Sequence, residues 1–199
     1  MFPLVSWCWE LRWSDQIPED IEENGVLAAG LGKAVVKDIR GLKVAFLGYN
    51  TIGAEVDEKV LESRIEEARS VADVVVVYFH WGVEYTHKPT ANQKELAHLA
   101  IDSGADLVVG SHPHWIQGIE IYREKPVIYS LGNFVFDQGW SEKTMEGMVA
   151  RATFCENQLV DLEFLPVKMG SWTQPYFLEG EEKKNLLELL KMISLELNK

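Results

Sequence analysis

Residues 74–85 read VVVVYFHWGVEY, residues 104–120 read GADLVVGSHPHWIQGIE, and residues 125–137 read KPVIYSLGNFVFD. The first block opens on a β-branched run that is apolar on both faces, the pattern of a central parallel strand covered on both sides. The second contains a shorter apolar run over 105–110. Between them Pro89-Thr90 leads into a helical segment. Thr90 and Gln93 have capping-box spacing, Leu96, Ala97, Ala100 and Ile101 recur as an inward stripe, and Gly104 suits the C-terminal cap. Residues 74–110 therefore read strand, helix, strand, one βαβ unit of ordinary size. An α/β protein is expected.

Outward from that unit the pattern continues. Residues 43–49 form a short apolar run ended by Gly48 and Asn50, a buried strand. Asp57 suits the N-cap of a helix reaching Val71, with Val60, Ile65 and Ala68 as its apolar stripe. Residues 25–36 read as a short strand and loop, and their GxG lacks the strand–GxGxxG–helix context of a nucleotide site. Downstream, 117–122 and 126–130 are short strands about a turn at Glu124. Residues 148–154 and 159–167 form an antiparallel pair turning at Glu156-Asn157. The segment 181–197 closes the chain as a helix with its stripe at Leu186, Leu189, Leu190, Ile193 and Leu197. Near the start, Trp7, Trp9 and Trp13 suggest burial, and the Trp7/Trp9 alternation fits one face of a strand.

The chain has 199 residues and a formal net charge of −12. Such acidity excludes a nucleic-acid surface, which needs a basic patch. Cys8 and Cys155 lie outside any CxxC pattern and are expected as buried thiols. The opening MFPLVSWCWELRW has no basic leader and is broken by Glu10 and Arg12, so it reads neither as a signal peptide nor as a bilayer span. The chain as given is expected to be soluble.

The five histidines are His80, His87, His98, His112 and His114. A right-handed crossover places the two parallel strands with their carboxyl ends on one edge. His80 follows the first strand and His112 and His114 follow the second, so all three project where open α/β sheets form their ligand crevice. Asn50 ends the preceding strand on the same edge. Pro113 pushes His112 toward an extended conformation, in which residues two apart face the same way. Neutral imidazoles suit zinc, manganese, iron or nickel. Singly, a histidine after a strand is more often a hydrogen-bonded core residue; three on one edge reverse that reading. His98 reads as surface. His87, in a polar loop, is a candidate substrate contact. Glu84 and Asp137 are candidates for acid, base or ligand, with a solvated carboxylate an equally good account. Asn133 suits a tight turn with Gly132 or, at a strand end, a metal ligand, and Trp81 and Trp115 either wall a pocket or pack.

The blocks HWGVEY, PTANQKELAHLAIDSGADLVVGSHPHWIQGIE and PVIYSLGNFVFD together resemble the CapA family of bacterial capsule or poly-γ-glutamate synthesis proteins, with weaker similarity over about residues 23–180. That family is similar to the calcineurin-like metallophosphoesterases. The resemblance implies a metallophosphatase-like α/β/β/α sandwich, a divalent metal, and metal-assisted hydrolysis of a phosphate ester or related bond in an anionic small-molecule or polymer substrate. By motif, His80 matches the histidine ligand after a central strand, and His112 and His114 match the paired ligands of a GHxH-like motif, here GSHPH. Glu84 and Asp137 are the candidate catalytic carboxylates; His87, Trp115 and Asn133 are candidate substrate contacts. Family members carry an earlier half with a Gly-Asp, an Asn-Leu-Glu and an Asn-His motif, and nothing upstream of Gly25 resembles it. The expectation is residues 23–199 as the C-terminal part of such a domain, residues 1–22 unassigned, a half-site that becomes binuclear only with the N-terminal half, and either self-association or a complementary N-terminal subunit. Competing expectations are a non-enzymatic accessory protein in polymer synthesis or export, and an inactive truncated product. Family members are often anchored outside the membrane.

Overall fold

The computed structural model describes residues 26–30, 33–171 and 174–199; the expectations for the N-terminal tryptophans and Cys8 lie outside them. Among the described residues nine strands and four helices follow in order: β1 (Val35–Ile39), β2 (Leu42–Asn50), α1 (Glu58–Val71), β3 (Val74–His80), α2 (Ala91–Asp102), β4 (Leu107–Ser111), β5 (Ile119–Tyr122), β6 (Lys125–Ile128), α3 (Glu142–Met145), β7 (Glu146–Cys155), β8 (Gln158–Ser171), β9 (Gln174–Phe177) and α4 (Gly180–Leu197). A six-stranded sheet runs β1-β2-β3-β4-β6-β5. Its four inner strands are parallel, and β1 and β5 are antiparallel edges. A second, antiparallel sheet runs β7-β8-β9.

The helices form where their caps direct. Asp57 accepts from the backbone N–H groups of Lys59 and Val60, and Thr90 and Gln93 complete a reciprocal capping box. Helix α2 buries Leu96, Ala97, Ala100 and Ile101 as the sequence predicts. Helix α1 buries Leu61, Ile65 and Ala68, whereas Val60 is 50% exposed. The stripe passes through Leu61 because 61, 65 and 68 keep the i, i+4, i+7 spacing of one helix face. Both helices join Val75, Val77 and Phe79 of β3 in the main core. The opposite face of β3 is less covered: Val74 is buried, but Val76, Tyr78 and His80 are only half-buried. Complete cover on both sides thus holds for one face alone.

A second core gathers Ile116, Met148 and Leu178 with Leu186, Leu190 and Ile193 of α4. The β5–β6 turn has positive φ at both Arg123 (46°) and Glu124 (65°), the geometry of a two-residue type I′ hairpin. Gly110 is required by close approach: a Cβ there would meet the Tyr129 carbonyl oxygen at 2.1 Å and Trp81 Nε1 at 2.3 Å. Trp81 is fully buried, stacks on Phe79 at 4.5 Å and donates to that carbonyl at 2.9 Å. It is a core residue, not a pocket wall. Cys155 is exposed at the end of β7, contrary to the expected burial, because it borders the turn at Glu156.

Candidate metal centre

Strands β3 and β4 are adjacent and parallel, and His80 is in register with Ser111. That register delivers both histidine-bearing strand ends to one edge. His80 Nδ1 lies 3.1 Å from Ser111 Oγ, and the His80 and His112 rings are 4.6 Å apart. The rings of His112 and His114 are 5.9 Å apart. Glu84, His112 and His114 each offer a ligand atom, all within 4.8 Å of one another. Among the described residues this is the one such group of histidine, cysteine and carboxylate side chains.

The backbone reaches this arrangement by a route different from the expected extended one. His112 has φ of 92° and His114 of 59°, conformations that cost a non-glycine residue about 1–3 kcal/mol each and concentrate at functional sites. Tyr85 N–H donates to the Pro113 carbonyl at 2.8 Å, and Trp81 N–H donates to the Ser111 carbonyl at 3.1 Å, tying the two loops together. Trp115 Nε1 is buried with no hydrogen-bond partner among the described residues.

The loop from His80 to Pro89 is fixed from beneath by two buried amides. Gln93 Nε2 donates to Gln117 Oε1 at 2.9 Å, and Gln117 Nε2 donates to the carbonyls of Thr86 and Lys88 at 3.1 and 3.2 Å. Glu84 is thereby carried opposite His114, its Oε1 3.6 Å from Nε2. On the other side of that imidazole, Nδ1 is 2.9 Å from Asn133 Oδ1. Asn133 Nδ2 faces two acceptors, the Thr144 carbonyl at 2.8 Å and Gln138 Oε1 at 3.2 Å. Those contacts orient the amide so that its oxygen accepts the Nδ1 proton. His114 therefore presents an Nε2 lone pair toward Glu84, the outer-partner logic of metal-bound histidines.

Burial pushes the His80 imidazole down to about 3, with the charges of His112 and His114 adding to the effect. His112 is also lowered, by burial above all, against the opposing pull of Glu84 and with a smaller lowering from His114. Both stay neutral near pH 7. Two or three neutral imidazoles with one carboxylate suit a borderline divalent cation such as zinc, manganese, iron or nickel, so the donor set fits a metal.

The remaining sequence candidates fall into place differently. Asp137 is exposed and stands outside the group. Asn133 is 7% exposed, and its side chain is engaged inside the protein with His114, Gln138 and Thr144. His87 Nδ1–H donates to the Ile116 carbonyl at 2.7 Å, and the ring lies 5.0 Å from that of Trp115. It adjoins the site without joining the donor group. His98 is half-buried away from it, stacked on Tyr122 at 3.8 Å and 3.1 Å from Glu120. Asn50 pairs in register with His80, but its Oδ1 accepts from Ile52 N–H. Sequence reading missed Ser111, Tyr85, Gln138 and Thr144. Ser111 was the most legible, since it stands directly before His112 at a strand end.

The mixed α/β architecture is that of a metallophosphatase-like fold. A solved structure of a hypothetical protein from Thermus thermophilus shares the fold, with a TM-score of 0.53 at 14% identity over 69% of this chain and 62% of that one. The family described as bacterial capsule synthesis protein PGA_cap matches residues 19–138, and the chain belongs to that family. It is 39% identical over 151 residues to the PGA biosynthesis protein CapA of Bacillus subtilis strain 168, covering 75% of this chain and 38% of that protein. It is 36% identical over 152 residues to the capsule biosynthesis protein CapA of Bacillus anthracis, covering 68% and 37%. A shorter match, 38% over 65 residues and 33% and 17% of the two chains, is to a probable polyglutamine synthesis accessory protein of Mycobacterium tuberculosis CDC 1551. The chain thus spans under two fifths of the two CapA proteins. No helix among the described residues is long and apolar enough to cross a membrane.

Proposed function

We propose that this chain carries part of a metal-dependent hydrolase site that acts on an anionic substrate during capsule-polymer synthesis. The observation that carries the reading is the approach of Glu84, His112 and His114 to within 4.8 Å, with His114 oriented by Asn133. These three residues would hold a divalent cation, with His80 beside them as a further donor. When bound, such a cation supplies Lewis acidity toward a phosphoryl or carbonyl oxygen. The protein's own part is positioning. Asn133 keeps the proton of His114 on Nδ1, burial keeps His80 and His112 neutral, and Glu84 contributes the negative charge. Tyr85 stacks 5.9 Å from His114 at the rim of the group.

Metal content of the purified chain, compared with a His112→Ala/His114→Ala variant, tests this directly. About one equivalent in the parent and little in the variant is expected; equal content in both rejects the ligand assignment. A second reading is a non-enzymatic accessory role in polymer synthesis. It is favoured by the description of the mycobacterial relative as an accessory protein. Metal-loaded protein without hydrolysis of phosphate mono- or diesters would select it.

A further inference from the structure

We propose that the recess beside His87 is an anion subsite, which takes a negatively charged group of an oligomeric substrate whose neighbouring group sits at the metal centre. The proposal rests on the metal-centre reading for the second half of that statement only. The recess encloses about 180 Å³ between the start of α2 and the end of α4. That is below the 300–1,000 Å³ of a pocket for a whole drug-sized ligand, and it suits one side group of a longer molecule. His87, Lys88 and Lys94 line it, against one carboxylate, Glu196, and an apolar floor of Ile193 and Leu197.

The chain has a net charge of −12, yet this recess is lined by two lysines and one carboxylate. Among the described residues neither Lys88 nor Lys94 has an ion-pair partner. Lys88 is held in place through its carbonyl, which accepts from the buried Gln117. The geometry also links the recess to the centre. Ring contacts run from His114 to Tyr85 (5.9 Å), Tyr85 to Trp115 (6.3 Å) and Trp115 to His87 (5.0 Å). Lys143 lies 4.1 Å over the Trp115 ring, adding a third cation along the path. A single small anion cannot engage both ends of this run. A molecule with negative groups repeated along its length can, whether those groups are carboxylates or phosphates.

Calorimetric binding to the full chain at low salt tests the subsite, with a γ-linked glutamate decamer, a polyphosphate of similar length, free glutamate and inorganic phosphate as probes. We expect one of the two oligomers to bind at least tenfold more tightly than its monomer, and which one it is identifies the charged group. A Lys88→Ala/Lys94→Ala variant should lose about tenfold in that affinity, the scale of two partly exposed charge contacts, and keep its metal affinity. Undiminished oligomer binding in the variant overturns the proposal, as does equal binding of monomer and oligomer or no binding of either oligomer. If the parent chain binds the oligomer through these lysines but binds no metal, the subsite stands and the metal reading falls.

Discussion

Asn133 Oδ1 stands 2.9 Å from His114 Nδ1, and the same amide donates from Nδ2 to the Thr144 carbonyl and to Gln138. The turn after β6 and the short helix α3 thus decide which nitrogen of a strand-end histidine is free. Replacing Asn133 by Leu should lower metal affinity about 10–100-fold without removing a ligand. Asn133→Asp, which keeps the acceptor, should retain more of it. Metal titration of the two variants, with circular dichroism as a check on folding, makes the comparison. Equal affinity in Asn133→Leu and the parent would show that the contact does not orient the ligand.

Glu84 is the one carboxylate within the group that includes His112 and His114. Glu84→Gln preserves shape and removes charge, so divalent-metal affinity should fall by at least tenfold, whereas Asp137→Asn should leave it unchanged because Asp137 is exposed and outside the group. Competition against a chelating dye reads both. A larger effect at Asp137 would return that residue to the site.

Asp106 lies at the start of β4 and is 6% exposed. It accepts from Arg69 at 2.7 Å, Lys125 at 2.7 Å and the Val75 backbone N–H at 2.9 Å. Removing it leaves two cations and a buried donor without their acceptor. Asp106→Ala should cost about 3 kcal/mol, the low end for an ion pair broken from one side, because Arg69 and Lys125 side chains retain 34% and 37% exposure. Urea unfolding measures it, and a change under about 1 kcal/mol would place this network with ordinary surface pairs.

Burial raises the Glu146 carboxyl above its usual 4.5, Glu142 and Glu182 reinforce the shift, and Lys168 and Lys143 oppose it. A raised folded-state value means the stability contribution is complete below pH 4.5 and is lost as pH rises through the folded value. Glu146→Gln should therefore raise the melting temperature at pH 7 and lose that advantage near pH 4. The same gain at both pH values would assign it to packing instead of charge.

Among the described residues strand β1 is an unpaired sheet edge, with Val36 and Ile39 exposed at 41% and 43%, the kind of edge that pairs with another chain unless blocked. Sedimentation at rising micromolar concentration should show reversible self-association, weakened by Val36→Lys. A monomer throughout that range would show that the edge is silent.

The parallel strands were legible because their apolar runs end in residues of another character, at Asn50, His80 and Ser111. The α2 stripe was legible because capping box and periodicity agree. What misled was geometry that spacing does not encode. His112 and His114 converge through positive φ, although the residue before a proline is biased to extended backbone. Val60 and Leu61 are both apolar, so composition alone did not choose the buried member. Asn133 could not be assigned a role from its own position, since its partners Gln138 and Thr144 become neighbours only when the following segment folds back. Trp81 and Trp115 stand beside histidines in the same way, yet one is core and the other lies along the surface of the site.

The pairing of His80 with Ser111 has a kinetic consequence. The donor group exists only when β3 and β4 are side by side in one register, and a slip of one residue would send alternate side chains to the opposite face. Metal capture should then be a late event, reporting completion of the parallel sheet more faithfully than helix signals do. In refolding, a divalent cation held by this donor group would act as an assay of correct alignment: misregistered chains that are compact and helical would still fail to bind it.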